Sequence, residues 1–252
     1  MRHPSLVTID AAMEYKPSHV FALFSGGHDS LCSTAITAQH PAFSGVVHIN
    51  TTIGIEETRE FVRETCKREG WPLREYFPPV SYLDICKRHG MPGPGAHLYC
   101  YTRLKERCIQ QLTREHKTHR HDRIVLATGV RRSESTRRMG HVMQIKREGV
   151  RVWVAPIIDW SDEDKNAFMS MRGLRRNPVV DAINMSGECL CGAFAKNGEL
   201  SLIAENFPKT ASAIEAVQAA CRDAGVHDTW GARPPKKRPP NMELCFSCEA
   251  KL

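Results

Sequence analysis

The sequence predicts a doubly wound α/β domain with a mostly parallel sheet, followed by a small cysteine-rich region. Two observations predict this class: short apolar runs alternate with helical patterns, and closely spaced cysteines follow late in the chain. Strands that alternate with helices form βαβ units, and such units build parallel sheets. We therefore expect an α/β domain over residues 1–180 and a cysteine-rich C-terminal region over residues 181–252.

The first predicted strand covers residues 19–24, a short apolar run of the kind that is buried inside a sheet. A helix follows over residues 30–39, where Leu31, Ala35 and Ala38 share one face. The glycines between this strand and this helix predict a tight loop.

The next strand and helix cover residues 46–50 and 56–69. The helix has acids in its first turn, bases in its last turn and Gly70 as a C-cap, which suit the helix dipole and its termination. A third strand covers residues 73–77, and a short helix follows over residues 82–88.

Beyond the glycine- and proline-rich loop at residues 91–95, the pattern predicts a helix over 99–115 and a strand over 124–129. Residues 150–158 form a further strand or hairpin arm. Ser161 begins a helix that ends at Met171, with Asp164 completing a capping box. Residues 208–224 also show a helical pattern.

Composition excludes two classes of protein. A membrane-spanning protein is excluded because the longest apolar runs, such as Val152–Ile158, are too short to span a bilayer. A secreted protein is disfavoured because residues 1–4 show no secretory signal. We therefore expect a cytoplasmic protein without a membrane partner. The net charge of +7 favours an anionic partner, either a nucleotide or a nucleic acid. Ten cysteines in a reducing compartment favour metal binding or redox chemistry over structural disulfides.

The strongest signal for a binding site is the phosphate loop Ser25-Gly26-Gly27-His28-Asp29-Ser30. Adjacent glycines let a ligand approach the backbone, and the amides at the start of a helix attract an anion. The serines add hydroxyl donors, and a protonated His28 would add charge. The alternative is a glycine-rich turn without a ligand.

A second polar segment follows the strand at residues 124–129 and therefore lies at the same edge of the sheet as the phosphate loop. Its candidate residues are Gly129, Arg131, Arg132, Glu134, Ser135, Arg137 and Arg138. The arginines would neutralise a polyphosphate, and Glu134 would orient an arginine or a bound magnesium ion. The alternative is a solvated basic loop.

Two close cysteine pairs, Cys189 with Cys191 and Cys245 with Cys248, provide four soft ligands for zinc or for an iron–sulfur cluster. Buried free thiols and a redox disulfide are the alternatives. Five other cysteines are interpreted as packing residues: Cys32, Cys66, Cys86, Cys108 and Cys221.

The phosphate loop resembles the SGGxDS signature of the PP-loop superfamily of ATP pyrophosphatases and sulfonucleotide reductases. Further segments resemble, in the same order, those of the phosphoadenosine phosphosulfate (PAPS) reductase family. These segments begin at His48, Tyr99, Gly129 and Pro156, and the third matches a GxRxxESxxR motif that is shared with the ATP sulfurylase small subunit and with DNA phosphorothioation proteins. The resemblance covers residues 19–192 and implies a Rossmann-like PP-loop fold.

The resemblance also implies roles for individual residues. Nucleotide binding is expected from residues 25–30 and from Lys105, Gly129, Arg131, Arg132 and Ser135. Catalytic roles are expected for Asp29, Arg131, Glu134 and Arg138. The metal ligands are expected among Cys100, Cys189, Cys191, Cys245 and Cys248, with a 4Fe–4S cluster favoured over Zn²⁺ because the family places cluster ligands near these positions.

The implied function is an enzyme that binds ATP or a sulfonucleotide (PAPS or APS) with Mg²⁺ and acts at the α-phosphate or its sulfonate. The expected context is sulfur metabolism or sulfur transfer, with a sulfur donor protein, a thioredoxin-like reductant or a nucleic acid as partner. One departure bears on the reaction, because Glu243-Leu-Cys245 lacks the glycine of the reductase motif. The alternative function is a non-catalytic nucleic-acid-binding module that uses Lys236, Lys237 and Arg238 and a structural metal.

Overall fold

The computed structural model describes residues 3–134 and 142–235. Within them a six-stranded sheet has the order β3-β2-β1-β4-β6-β5. Its strands are β1 (His19–Leu23), β2 (Phe43–Ile49), β3 (Leu73–Tyr76), β4 (Ile124–Ala127), β5 (Ile145–Glu148) and β6 (Arg151–Val154). All neighbouring strands pair in parallel except β5, which runs antiparallel to β6. This arrangement confirms the predicted fold class.

The α-helices of the described residues are α1 (Leu6–Ala12), α2 (His28–Thr37), α3 (Glu56–Glu69), α4 (Tyr82–His89), α5 (His97–Cys100), α6 (Arg107–His116), α7 (Asp162–Met171), α8 (Pro178–Ile183), α9 (Glu199–Asn206) and α10 (Pro208–Asp223). The sequence predicts α3 at its observed bounds, and the Ser161 capping box of α7 is present. None of these helices is long and apolar enough to cross a membrane.

The sheet is covered on both faces because successive strand residues point to opposite sides. Val20 and Val125 pack with helices α1, α2, α3 and α7 in one core. Phe21 and Leu126, each one position further along, pack with α6 in a second core. The alternation of side chains along the apolar strands therefore builds the doubly wound arrangement.

A third core joins α4, α8, α9 and α10 beyond the carboxyl ends of the strands. It contains residues from both sides of position 180, including Tyr82, Leu104, Ile214 and Trp230. Hydrophobic contacts thus cross the predicted domain boundary, and the division into residues 1–180 and 181–252 stays a prediction.

Four elements were not predicted from the sequence: α1, β5, α8 and α9. The predicted helix over 99–115 is also interrupted, because residues Tyr101–Glu106 form a π-helical segment between α5 and α6. Such segments often mark functional sites, and this one carries Lys105.

Candidate nucleotide site and cysteine cluster

The phosphate loop, residues 25–30, joins the end of β1 to the start of α2. The chain moves from β1 to β2 on one side and returns to β4 on the other side, so the loop lies where the strand order reverses. In open α/β sheets, ligands bind in the crevice outside this point. The loop therefore lies at the place where ligands bind in sheets of this kind, and its role in nucleotide binding stays a prediction.

Two glycines at this point are required by close packing. Gly26 has a φ angle of +83°, and an added Cβ would lie 2.5 Å from Cγ2 of Thr58. At Gly129 an added Cβ would lie 2.4 Å from the backbone nitrogen of Ser30. Gly27 differs, because its Cβ would meet the Ser186 Cβ at an ordinary 3.6 Å. The conformation and packing thus demand glycine at 26 and 129, whereas position 27 leaves room for a methyl group.

Hydroxyl groups close the loop on itself. Ser30 Oγ donates to the Gly27 carbonyl at 2.8 Å and lies 3.2 Å from Ser25 Oγ. The backbone N–H of Ser25 donates to Ser30 Oγ at 3.3 Å. Helix α2 begins after Gly27 without a side-chain cap. Amides at the start of an uncapped helix are available to an anion.

His28 is buried and holds the loop as a neutral acceptor. Its Nε2 accepts the backbone N–H of Asn177 at 3.1 Å, while the Asn177 side chain donates to the Gly26 carbonyl at 2.9 Å. Burial, and secondarily the charge of Arg176, lowers the pKa of His28. The lowered pKa and the hydrogen bond that Nε2 accepts both favour the neutral imidazole, so His28 acts here through hydrogen bonding and not through charge.

Arg131 lies close to the loop, as expected, but its charge is already engaged. Its Nε is 2.9 Å from Asp29 Oδ1, and its Nη2 is 2.9 Å from Asp162 Oδ1. Lys165, which no sequence pattern indicated, lies 3.6 Å from Asp29 and 2.6 Å from Asp162. Two cations and two carboxylates thus form a balanced group beside the phosphate loop.

The remaining residues of the second polar segment are only partly described. Arg132 pairs with Asp159, and the short 3-10 helix Arg132–Glu134 begins there. The side chain of Glu134 is not described, and Ser135, Arg137 and Arg138 lie outside the described residues. Their expected roles stay predictions.

Three of the five predicted metal ligands come together. The Cys191 thiol lies next to the thiols of Cys100 and Cys189, and we call these three residues the cysteine cluster. Contact with Cys191, together with burial, raises the pKa of Cys189, and contact with Cys100 raises the pKa of Cys191 to about 11. The positive charge of Lys105 works against this rise and lowers the pKa of Cys189.

Within residues 3–134 and 142–235, no set of three or more histidine, cysteine, aspartate or glutamate side chains has the arrangement of a metal centre. Cys245 and Cys248 lie outside the described residues. The packing interpretation of Cys32, Cys66 and Cys108 agrees with their complete burial in the two cores of the sheet. Cys86 and Cys221 are buried in the third core, which the cysteine cluster shares.

The cysteine cluster and the phosphate loop are close neighbours through one segment. Ser186 lies against Gly27, and its carbonyl accepts the hydroxyl of Thr58, which also packs on Gly26. Residues 187–191, which we call the cysteine segment, follow directly. Sequence reasoning missed Thr58 and Asn177 as parts of the site. The Asn177-Pro178 pair signals a helix start, but its bond to Gly26 depends on the tertiary fold.

The model of the phosphoadenosine phosphosulfate reductase domain matches residues 19–186. This match spans more than half of the chain and includes the phosphate loop and the second polar segment. The chain belongs to the PAPS reductase domain family. The matched range ends just before the cysteine segment.

This chain is similar in sequence to an uncharacterized 37.8 kDa protein of Escherichia phage 186. The two are 25% identical over 151 residues. The match covers 57% of this chain and 45% of the phage protein, so the chain spans less than half of its relative.

Two solved structures are similar to this chain at low sequence identity. PAPS reductase from Candida auris, in a phosphate complex, has a TM-score of 0.53 and 16% identity over 70% of this chain and 83% of that one. U34-tRNA thiolase NcsA from Methanococcus maripaludis, solved with its 4Fe–4S cluster, has a TM-score of 0.44 and 14% identity over 88% of this chain and 80% of that one. At 16% identity, the likeness to the Candida auris structure concerns the fold alone.

Proposed function

We propose that this PAPS reductase family member is an enzyme that binds ATP or a sulfonucleotide at the phosphate loop. The observation that carries the proposal is the left-handed Gly26 at the reversal of the strand order, followed by the uncapped start of α2. Backbone amides at such a helix start bind phosphate groups, and ligands of sheets of this kind bind outside the carboxyl ends of the strands.

The charged group around Asp29 supports action at the phosphates. Arg131 and Lys165 flank Asp29 and Asp162, so the group has no net charge before ligand binds. A nucleotide that arrives with Mg²⁺ would bring both an anion for the cations and a cation for the carboxylates. We therefore assign Arg131 and Lys165 to the phosphates and Asp29 to the magnesium side, with Glu134 and Arg138 as further candidates.

Two reactions are open to a nucleotide held in this way. An acceptor attacks the α-phosphorus and releases pyrophosphate, or a thiolate attacks the sulfur of a sulfonate that the nucleotide carries. In the second reaction an S–S bond to the sulfonate forms, the S–O bond to the phosphate breaks, and the nucleotide leaves with that oxygen. The neighbouring cysteine cluster favours sulfur chemistry, in sulfur metabolism or in sulfur transfer to an acceptor such as a nucleic acid. A sulfur donor protein or a thioredoxin-like reductant would then be the partner.

The donor set of the cysteine cluster fits a soft metal in its chemistry. Three thiols converge, and the pKa values of Cys189 and Cys191 are raised. Thiolates are the metal-binding form, so a bound cation would displace the thiol protons. A complete site needs a further ligand. The described chain approaches the cluster again where Trp230 donates to the Leu190 carbonyl at 2.7 Å.

Cys245 lies ten positions after Pro235 in the sequence, and ten extended residues span at most about 33 Å. We propose that Cys245 or Cys248 completes a site for an iron–sulfur cluster, with zinc as the alternative. A cluster held there would supply redox-active iron beside the nucleotide.

The test begins with the full chain purified without oxygen. Calorimetry with ATP, PAPS and APS, each with Mg²⁺, measures binding, and a pyrophosphate assay with ATP measures turnover. We expect micromolar or tighter binding of one of these nucleotides. The Gly27→Val variant should keep the fold and lose that affinity, because its side chain lies beside the hydroxyls of Ser25 and Ser30. A folded wild-type protein that binds none of the three nucleotides would contradict the proposal.

A further inference from the structure

The strongest unassigned feature is a buried polar bridge between the phosphate loop and the cysteine segment. His48, on β2, is completely buried. Its Nδ1 lies 2.8 Å from the carbonyl oxygen of Phe24, the residue directly before the loop. A carbonyl only accepts hydrogen bonds, so Nδ1 carries a proton and donates it there.

The other ring nitrogen of His48 faces the cysteine segment. Its Nε2 lies 3.3 Å from the Glu188 carboxylate, whose side chain is 3% exposed. Arg59 on α3 lies 3.5 Å from the same carboxylate oxygen. Glu188 directly precedes Cys189, so the bridge runs from the loop to the first cysteine of the segment through two side chains.

Further hydrogen bonds and a close backbone contact hold the segment around Glu188. The N–H of Thr51 donates to the second carboxylate oxygen at 2.9 Å, and the Thr51 hydroxyl donates to the Glu188 carbonyl at 2.6 Å. The Leu190 N–H donates to the Ile53 carbonyl at 2.9 Å. At Gly54 an added Cβ would lie 2.5 Å from the Glu188 carbonyl oxygen, so the two backbones are in direct contact.

A charged carboxylate is costly to bury unless several partners compensate it. An apolar side chain at position 188 would fill the same space without that cost, so filling space does not explain the bridge. We propose that His48 and Glu188 are positioning residues that couple the phosphate loop to the cysteine segment, so that a change at either one is transmitted to the other. This inference goes beyond the proposed function and holds for the protein without nucleotide or metal.

The test uses isosteric changes in the full chain, treated with a metal chelator and measured without nucleotide. Glu188→Gln keeps the shape and removes the charge that faces His48. His48→Asn retains a donor near the position of Nδ1 and loses the contact with Glu188, whereas His48→Gln retains a group near Nε2 and loses the contact with Phe24. The readouts are amide hydrogen exchange of the phosphate loop and the rate of alkylation of Cys189, which is half-buried.

His40→Asn is the matched control. His40 is also buried, and its Nε2 lies 3.3 Å from Asp10, but it follows the far end of α2, away from the phosphate loop. This variant reports what the loss of a histidine–carboxylate contact does to general stability.

We expect Glu188→Gln to accelerate exchange of the loop amides by about fivefold or more, the lower range of ordinary coupling between sites. Both His48 variants should accelerate Cys189 alkylation by a similar factor, and His40→Asn should change neither readout. The inference is overturned if Glu188→Gln affects exchange only near residues 51–59 and 186–191, or if His40→Asn reproduces the effects. Neither readout involves nucleotide, so failure of nucleotide binding leaves the test intact.

Discussion

The Gly26→Ala substitution tests most directly how the phosphate loop is held. At a φ of +83° an alanine is strained, which costs about 1–2 kcal/mol. Its Cβ would also lie 2.5 Å from Thr58 Cγ2, and overpacking of this kind costs about 1–3 kcal/mol. Thr58 cannot turn away cheaply, because its hydroxyl bonds the Ser186 carbonyl.

The expected total is a loss of about 2–5 kcal/mol in the free energy of unfolding, a large part of the stability of an ordinary domain. Urea denaturation measures this loss. Gly27→Ala is the matched control, since its φ of −74° and its 3.6 Å contact suit a methyl group, and we expect a change within about 1 kcal/mol.

A second variant separates the two causes. Gly26→Ala combined with Thr58→Ser removes the Cγ2 contact and keeps the hydroxyl, so it should recover the packing part of the loss and leave the backbone part. Equal unfolding free energies for Gly26→Ala and Gly27→Ala would refute the reasoning. If the double variant is no more stable than Gly26→Ala, steric contact with Thr58 Cγ2 does not contribute to the loss in the free energy of unfolding.

Three further predictions address the charges and the cysteines. Burial lowers the pKa of His28, so the unfolded chain binds a proton at this residue more readily than the folded chain. The free energy of unfolding should therefore fall as the pH drops below the ordinary histidine value of 6.5. His28→Gln should flatten this pH dependence, which urea unfolding curves across that range measure. Asp29→Asn leaves the buried Arg131 with one carboxylate fewer, and thermal and urea unfolding should show a loss of about 1–3 kcal/mol. Anaerobically purified Cys189→Ser should contain less metal than the wild-type protein, as measured by elemental analysis. Cys66→Ala, which changes a core of the sheet, should retain the metal. Retained metal in Cys189→Ser would remove the cysteine cluster from the proposed metal site.

The sequence predicted the elements whose signals are local. Helix α3 is found at its predicted bounds because an apolar face, charged ends and Gly70 all lie within one stretch of chain. The capping box at Ser161 is similarly local. The elements that were missed, such as β5 and α8, have weak patterns of their own, and β5 is defined by its antiparallel pairing with β6.

The candidate site shows the same division. The residues of the phosphate loop were predictable because adjacent glycines flanked by serines, between a strand and a helix, are typical of a loop that binds phosphate groups. The ion pair between Arg131 and Asp29 could not be predicted from the sequence, because the two residues are distant along the chain. They meet only when β1 and β4 pair. Thr58, Lys165 and Asn177 belong to the site for reasons of the same kind.

The sequence by itself determined the alternation of strands and helices, the phosphate loop and the presence of clustered cysteines, because each depends on spacing along the chain. Only the tertiary structure decided that Cys100 lies beside Cys189 and Cys191, and that the cysteine segment reaches the phosphate loop through His48 and Glu188. Those contacts join segments that are distant in sequence. The geometry of these contacts depends on the order of strands in the sheet and on which side chains are buried. Neither the strand order nor the burial is encoded by a local sequence pattern.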